Sequence, residues 1–271
     1  MIRRALLLWP LLLALALPAH ADARLSVLVD VLRLDEVAAI LREEGLTSAE
    51  DLNAGMLDGQ GGGAWQTQVE AIYDPARIVE AVRGALDREL DDAALEEAVA
   101  FFASDLGTRI VALENTAREA IRAPDVEEAA RLRYAELSDT LTPRLEMLRL
   151  FVAGGDMVER NVTTALNSNF QFMRGLADGD ALDVSEDQML ADVTAEAEAI
   201  REDTEGWLYG YLLMAYSPLT DAQLQSYIDF SSTPAGQAVN RGLFSGFGAA
   251  YEDISYALGR AVALNMTARD L

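Results

Sequence analysis

Apolar residues along this chain recur at spacings of three and four from residue 24 onward, and no stretch alternates residue by residue. Between Leu28 and Glu44 they fall at Val31, Leu32, Leu34, Val37, Ala38, Ile40 and Leu41. That is the stripe of an amphipathic helix, and Gly45 reads as its C-terminal stop. Thr47-Ser48-Ala49-Glu50 then reads as a capping box that opens a new helix. Asp58 to Gly63 is rich in glycine and predicts a loop, after which Trp65 to Tyr73 resumes helical spacing, with Trp65 docking in the core. Asp74-Pro75 and Thr142-Pro143 each set a capping side chain before a proline suited to the first helical position. They predict helices running to Leu86 and over Leu145 to Val152. Further capping boxes are expected at Asp125 to Glu128, Ser185 to Gln188 and Thr220 to Gln223. With no β-branched alternation anywhere, the expected fold class is all-α.

The N-terminus departs from this pattern. Arg3 and Arg4 precede an unbroken apolar run from Ala5 to Leu17, and Pro18-Ala19-His20-Ala21 ends it with small residues. This is the build of a secretory signal peptide over residues 1–21, cleaved after Ala21. The run is shorter than the roughly 20 residues of a spanning helix. Cysteine is absent, so no lipoprotein thiol is available. The most apolar later segment, Leu243 to Leu264, carries Glu252, Asp253 and Arg260, charges that a bilayer interior disfavours. The expectation is an exported, periplasmic protein with no membrane span after cleavage.

Composition narrows the chemistry further. Cleavage would remove Arg3 and Arg4 and no acid, taking the formal net charge from −24 to −26. A field of that sign repels nucleic acid, so nucleic acid is not an expected partner. The 51% apolar content is that of a folded chain. Lysine is absent and the one histidine, His20, leaves with the signal peptide. Histidine-dependent triads, Schiff bases, thiolate nucleophiles and His- or Cys-ligated metals are therefore excluded from the mature chain. No cofactor is expected.

The chain also echoes itself. Leu90-Asp91-Asp92-Ala93-Ala94-Leu95 leads to Phe101 and Gly107, and Leu219-Thr220-Asp221-Ala222-Gln223-Leu224 leads to Phe230 and Gly236, at a constant offset of 129. Leu90, Asp92, Leu95, Phe101 and Gly107 thus recur as Leu219, Asp221, Leu224, Phe230 and Gly236. In each, an acidic cap opens a helix, an aromatic docks it, and a small residue lets the chain turn into the next helix, which Pro234 can open in the second case. A fainter echo sets Leu32-Arg33-Leu34 against Leu148-Arg149-Leu150. The expected organisation is a helical bundle built from two related multi-helix modules: 22–123, a connecting segment 124–141, and 142–271.

Phe101-Phe102-Ala103-Ser104-Asp105-Leu106-Gly107 and Phe230-Ser231-Ser232-Thr233-Pro234-Ala235-Gly236, each after its capped helix, resemble the periplasmic domain of unknown function 2059 family, in two tandem copies. The second stretch departs at Ser231, where a second aromatic is usual. The resemblance implies a small helical bundle per copy and no established activity.

Other clusters carry groups capable of chemistry. Asp178, Asp180, Asp183, Glu186 and Asp187 suggest a calcium loop, but Leu182 and Asp183 stand where a ligand and a glycine belong, so an acidic surface loop is expected. Glu196, Glu198, Glu202, Asp203 and Glu205 are candidates for acid–base hydrolysis, yet their density and Arg201 among them point to a solvated face. Trp207, Tyr209, Tyr211, Met214 and Tyr216 read as core, with an apolar pocket as the alternative. Gly242, Gly246 and Gly248 with Phe244 and Phe247 predict close helix packing, or a homodimer face. These features favour a non-enzymatic binding, adaptor or envelope-maintenance protein whose partner is another envelope protein. The alternatives are a carrier of an apolar small molecule and a carboxylate-only cell-wall hydrolase.

Overall fold

The computed structural model describes the backbone of residues 17–269 and the side chains of 23–267. Most of the signal-peptide segment lies outside the described residues. Thirteen helices and no strand are present among them, so the fold is all-α.

The chain begins with α1 (Leu17–Val31) and α2 (Leu34–Met56), continues through α3 (Gly62–Ile72), α4 (Pro75–Glu89), α5 (Asp92–Phe102) and α6 (Asp105–Ala120), and crosses by α7 (Pro124–Ser138). Then come α8 (Pro143–Gly154), α9 (Met157–Asp178), α10 (Glu186–Ala195), α11 (Ala197–Tyr216), α12 (Asp221–Ser231) and α13 (Pro234–Arg269). The joint between α1 and α2 turns on Arg33 at φ 50°, and that between α8 and α9 on Asp156 at φ 54°. Left-handed backbone is costly for a residue with a Cβ, and here packing on both sides of each joint holds it.

Several local expectations are corrected. The stripe from Leu28 to Glu44 belongs to two helices, broken at Leu32-Arg33. Gly45 does not stop a helix: α2 runs through it, because a Cβ there would lie 2.1 Å from the Tyr73 ring and glycine is what lets Tyr73 seat. Thr47 and Ser48 form no capping box, since their hydroxyls donate back to the Glu43 and Glu44 carbonyls inside α2. The helix after Pro75 extends to Glu89, and Gly62 already belongs to α3. Asp125 is not a cap, because α7 starts one residue earlier with Pro124 at its first turn. Ser185 caps α10, but the Gln188 side chain donates to Asp192 and the box is left half made. Thr220 and Gln223 form the full reciprocal box.

Three buried clusters carry the fold, and all three draw on both halves. In one, Leu25, Leu28, Leu32, Leu86, Leu95 and Phe102 pack with Phe230, Ala235 and Val239. In another, Ala38, Leu41, Trp65, Val69, Tyr73 and Ile78 pack with Leu176, Ile254, Leu258 and Val262. The third centres on Leu145, Leu148, Phe151, Leu208, Leu212, Tyr216 and Leu224, and takes Ile110 and Ala117 from α6. The long α13 lies along α9 and α4, while α6 lies against α11. Each half's last helix therefore packs on the other half. Glycines set the depth of these crossings: a Cβ on Gly259 would meet the Phe172 carbonyl oxygen at 2.2 Å, and one on Gly246 the Val82 Cα at 2.5 Å. The face holding Gly242 and Gly246 is occupied by α4 within the chain, which removes it as a homodimer face.

Candidate ligand-binding cavity

The repeated motif residues build the junction between the halves. Phe101 and Phe230 stack with ring centroids 3.9 Å apart and planes within 3°, and Phe102 meets Phe230 edge-on at 5.4 Å. Gly107 and Gly236 stand in matching surroundings. A Cβ on either would lie 2.2 Å from the carbonyl oxygen of Phe101 or Phe230 respectively, so only glycine lets α6 and α13 start so close to the preceding helix. Their N–H groups donate to Ser104 Oγ and Thr233 Oγ1, each at 3.1 Å. Leu90, Leu95, Leu219 and Leu224 are buried beside them.

Asp92 and Asp221 play a different part from the one expected. The caps are Asp91 and Thr220, which accept from the N–H groups of Ala94 and Gln223. Asp92 and Asp221 are the first helical residues and pair with Arg24 and Arg144. This geometry sets Arg24, Leu25 and Leu28 against Arg144, Leu145 and Leu148. It replaces the fainter Leu-Arg-Leu echo, whose members sit at a helix joint in one half and mid-helix in the other.

Beside this junction the helices leave a cavity of about 290 Å³. Leu32, Leu34, Val37 and Leu41 of the α1–α2 joint line one side, and Leu243, Phe244, Phe247 and Tyr251 of α13 the other. Val111, Glu114, Asn115 and Arg118 of α6, Asn161 and Thr164 of α9, and Tyr211 of α11 complete the wall. Arg118, Asn161, Thr164 and Tyr251 also border an open polar cleft that includes Glu44 and Trp207. The cavity is open to solvent, and its polar side adjoins this cleft. It lies at the lower end of the roughly 300–1,000 Å³ range of small-molecule sites.

Glu114 is half-buried in this wall. Its Oε1 accepts from Tyr216 Oη at 2.6 Å and Tyr227 Oη at 3.2 Å, and its backbone carbonyl accepts from Tyr211 Oη at 3.1 Å. Burial raises its carboxyl above the ordinary value, although the two tyrosine hydroxyls pull it back. Burial, and then the Glu114 charge, push Tyr216 and Tyr227 well above the usual phenol range. Four residues along α6, Arg118 donates to both oxygens of Glu44, from Nε at 2.8 Å and from Nη2 at 2.5 Å. Its guanidinium also lies 5.0 Å from the centre of the Trp207 ring.

The aromatic stretch of α11 divides. Tyr209 and Tyr216 are buried in the core, Tyr209 stacks on Tyr134, Tyr211 lines the cavity and Trp207 the cleft. The carboxylates at Glu196, Glu198, Glu202, Asp203 and Glu205 are exposed. Asp203 borders the cleft paired with Arg131, and Glu205 accepts from Tyr134 Oη. In the acidic loop, Asp178 accepts from Tyr256 Oη at 2.8 Å and Asp180 adopts φ 62°. Among the described residues, no three acids, histidines or cysteines are grouped to hold a metal ion, and no helix is long and apolar enough to cross a membrane.

Sequence reasoning passed over Glu114, Arg118, Asn161, Thr164 and Tyr251. One signal was present: Ile110, Glu114, Ala117 and Ile121 form a helical stripe in which an acid holds a core-facing position.

Fold and cavity together define an all-α bundle with a partly apolar, solvent-open cavity where its halves meet. Residues 76–133, from α4 into α7, match the model of the family described as "Uncharacterized protein conserved in bacteria (DUF2059)", so this segment is similar to that bacterial family. The match takes in the first of the two phenylalanine–glycine motifs. No curated protein and no solved structure matches the chain.

Proposed function

We propose that the mature chain is an exported, non-enzymatic binding protein of the bacterial envelope, made of two copies of one six-helix module, and that it holds a small molecule with an apolar body in the cavity between them. The cavity carries this reading, because an open pocket walled by aliphatic and aromatic side chains with a polar side suits an amphipathic ligand. Export rests on the N-terminal arginines, apolar run and small-residue site. Duplication is supported by the order α1 to α6 and α8 to α13, by left-handed joints at Arg33 and Asp156, and by the matched Asp92–Arg24 and Asp221–Arg144 pairs. The reading moves the carrier function ahead of the adaptor. It also weakens the hydrolase, since Glu44 and Asp203 at the cleft are paired with arginines.

The test is displacement of the neutral fluorophore N-phenylnaphthylamine from residues 22–271, beside Gly248→Leu. Gly248 borders the cavity, and a Cβ there meets only the Thr164 hydroxyl, at 3.5 Å, so the larger side chain enters open space. The wild type should bind the probe saturably and Gly248→Leu at least about tenfold more weakly, with helicity unchanged. Equal binding by both would remove the cavity as the site.

A further inference from the structure

We infer that the cavity selects a small organic cation, with a short apolar body and a protonated amine seated against the Glu114 carboxyl. This rests on the binding function proposed for the same cavity.

The charge balance of the wall carries the argument. Two ionic groups of opposite sign face the chamber from α6, Glu114 and Arg118. Arg118 is already neutralised, because its guanidinium fork is closed on both oxygens of Glu44. A bidentate pair of this kind holds its partners in fixed geometry. Glu114 has no such counter-ion: its described side-chain partners are the hydroxyls of Tyr216 and Tyr227, and both take Oε1. Among the described residues nothing donates to Oε2. Oε2 is not among the buried side-chain atoms without a partner, so it keeps contact with solvent in the cavity, and a ligand that displaces that solvent must bring it a donor.

The ligand classes separate on that geometry. An anionic head would face Glu114 and find Arg118 engaged. A wholly apolar ligand would strip water from Oε2 and replace it with nothing. An ammonium supplies both a donor and the missing charge, and such charge-assisted bonds are about twice as strong as neutral ones. The rest of the wall agrees, since Tyr211, Phe244, Phe247 and Tyr251 surround the chamber and aromatic rings attract organic cations. So does the whole molecule, whose net negative charge raises the local concentration of cations.

Three chain-matched probes decide it: n-octylamine, n-octanol and octanoate, titrated by calorimetry into residues 22–271 at moderate salt, beside Glu114→Gln. Glutamine keeps the shape and an acceptor for the two tyrosines and removes the charge. Octylamine should bind roughly tenfold or more tighter than octanol, octanoate weakest, and Glu114→Gln should erase the amine's advantage while leaving octanol unchanged. If Glu114→Gln fails to fold, the ranking of the three probes on the wild type still decides. Octanol or octanoate binding as tightly as octylamine would overturn the cation assignment while leaving the apolar cavity function standing. An amine preference that survives in folded Glu114→Gln would also overturn it, by placing selection on the acidic surface. Binding of none of the three would overturn the cavity function itself.

Discussion

Glu114 shows how one side chain can set the pH response of a fold. Burial raises its carboxyl above the ordinary value of 4.5, against the opposing pull of the Tyr216 and Tyr227 hydroxyls. The native state therefore holds this proton more tightly than the unfolded chain, and stability falls as pH climbs from the ordinary value through the raised one. Glu114→Gln has no such proton to lose. Its melting temperature relative to the wild type should rise between acid and neutral pH in a thermal scan, and parallel curves would show that burial is not felt. The motif glycines predict a pH-independent loss: Gly107→Ala or Gly236→Ala forces a Cβ into a carbonyl oxygen and should cost about 1–3 kcal/mol, read from denaturant midpoints. Both glycines stood out in the sequence as turn residues. Their actual task, letting a helix start against backbone, involves contacts that no local pattern encodes. Glu114 was visible as an acid on an apolar stripe, but the tyrosines that satisfy it come from α11 and α12.

The helices were largely legible because caps and periodicity are local, and the errors fall where a distant partner overrules a local signal. Gly45 resembles a helix stop until Tyr73 is placed over it. Thr47-Ser48-Ala49-Glu50 has capping-box chemistry, yet α2 is already under way and its hydroxyls turn inward to carbonyls one turn back. Thr220-Asp221-Ala222-Gln223 has the same chemistry and does cap, because Pro218 and Leu219 separate it from α11 and leave its N–H groups free. The pair makes a differential prediction. Thr220→Ala should lower stability by about 1 kcal/mol, a few degrees in melting temperature for a chain of this size. Thr47→Ala, inside a continuous helix, should leave the melting temperature essentially unchanged. Equal losses would mean that α2 is broken in solution where the sequence first suggested.

At the scale of the molecule, the halves are intertwined more deeply than a tandem of modules requires. The Leu28 cluster is completed by Phe230, Ala235 and Val239 from the far half, and the Trp65 cluster by Ile254, Leu258 and Val262. Reciprocally, Ile110 and Ala117 enter the cluster around Leu148. This exchange of last helices was not visible in the sequence, which shows that two segments are alike but not which copy a helix joins. It also explains where the cavity lies, since α6 and α13 cross between the halves and their side chains meet across the chamber. Buried apolar surface stabilises a fold only while it stays covered, so a half expressed alone would expose the faces its partner fills. Residues 22–139 and 140–271, produced separately, should be helical but loosely packed, with weak near-ultraviolet dichroism and no cooperative melting. Mixing them should restore a cooperative transition and N-phenylnaphthylamine binding together, because one junction supports both. A half that melts cooperatively by itself would mean that its core is closed without the exchanged helix, and that the cavity arises from docking of two finished domains.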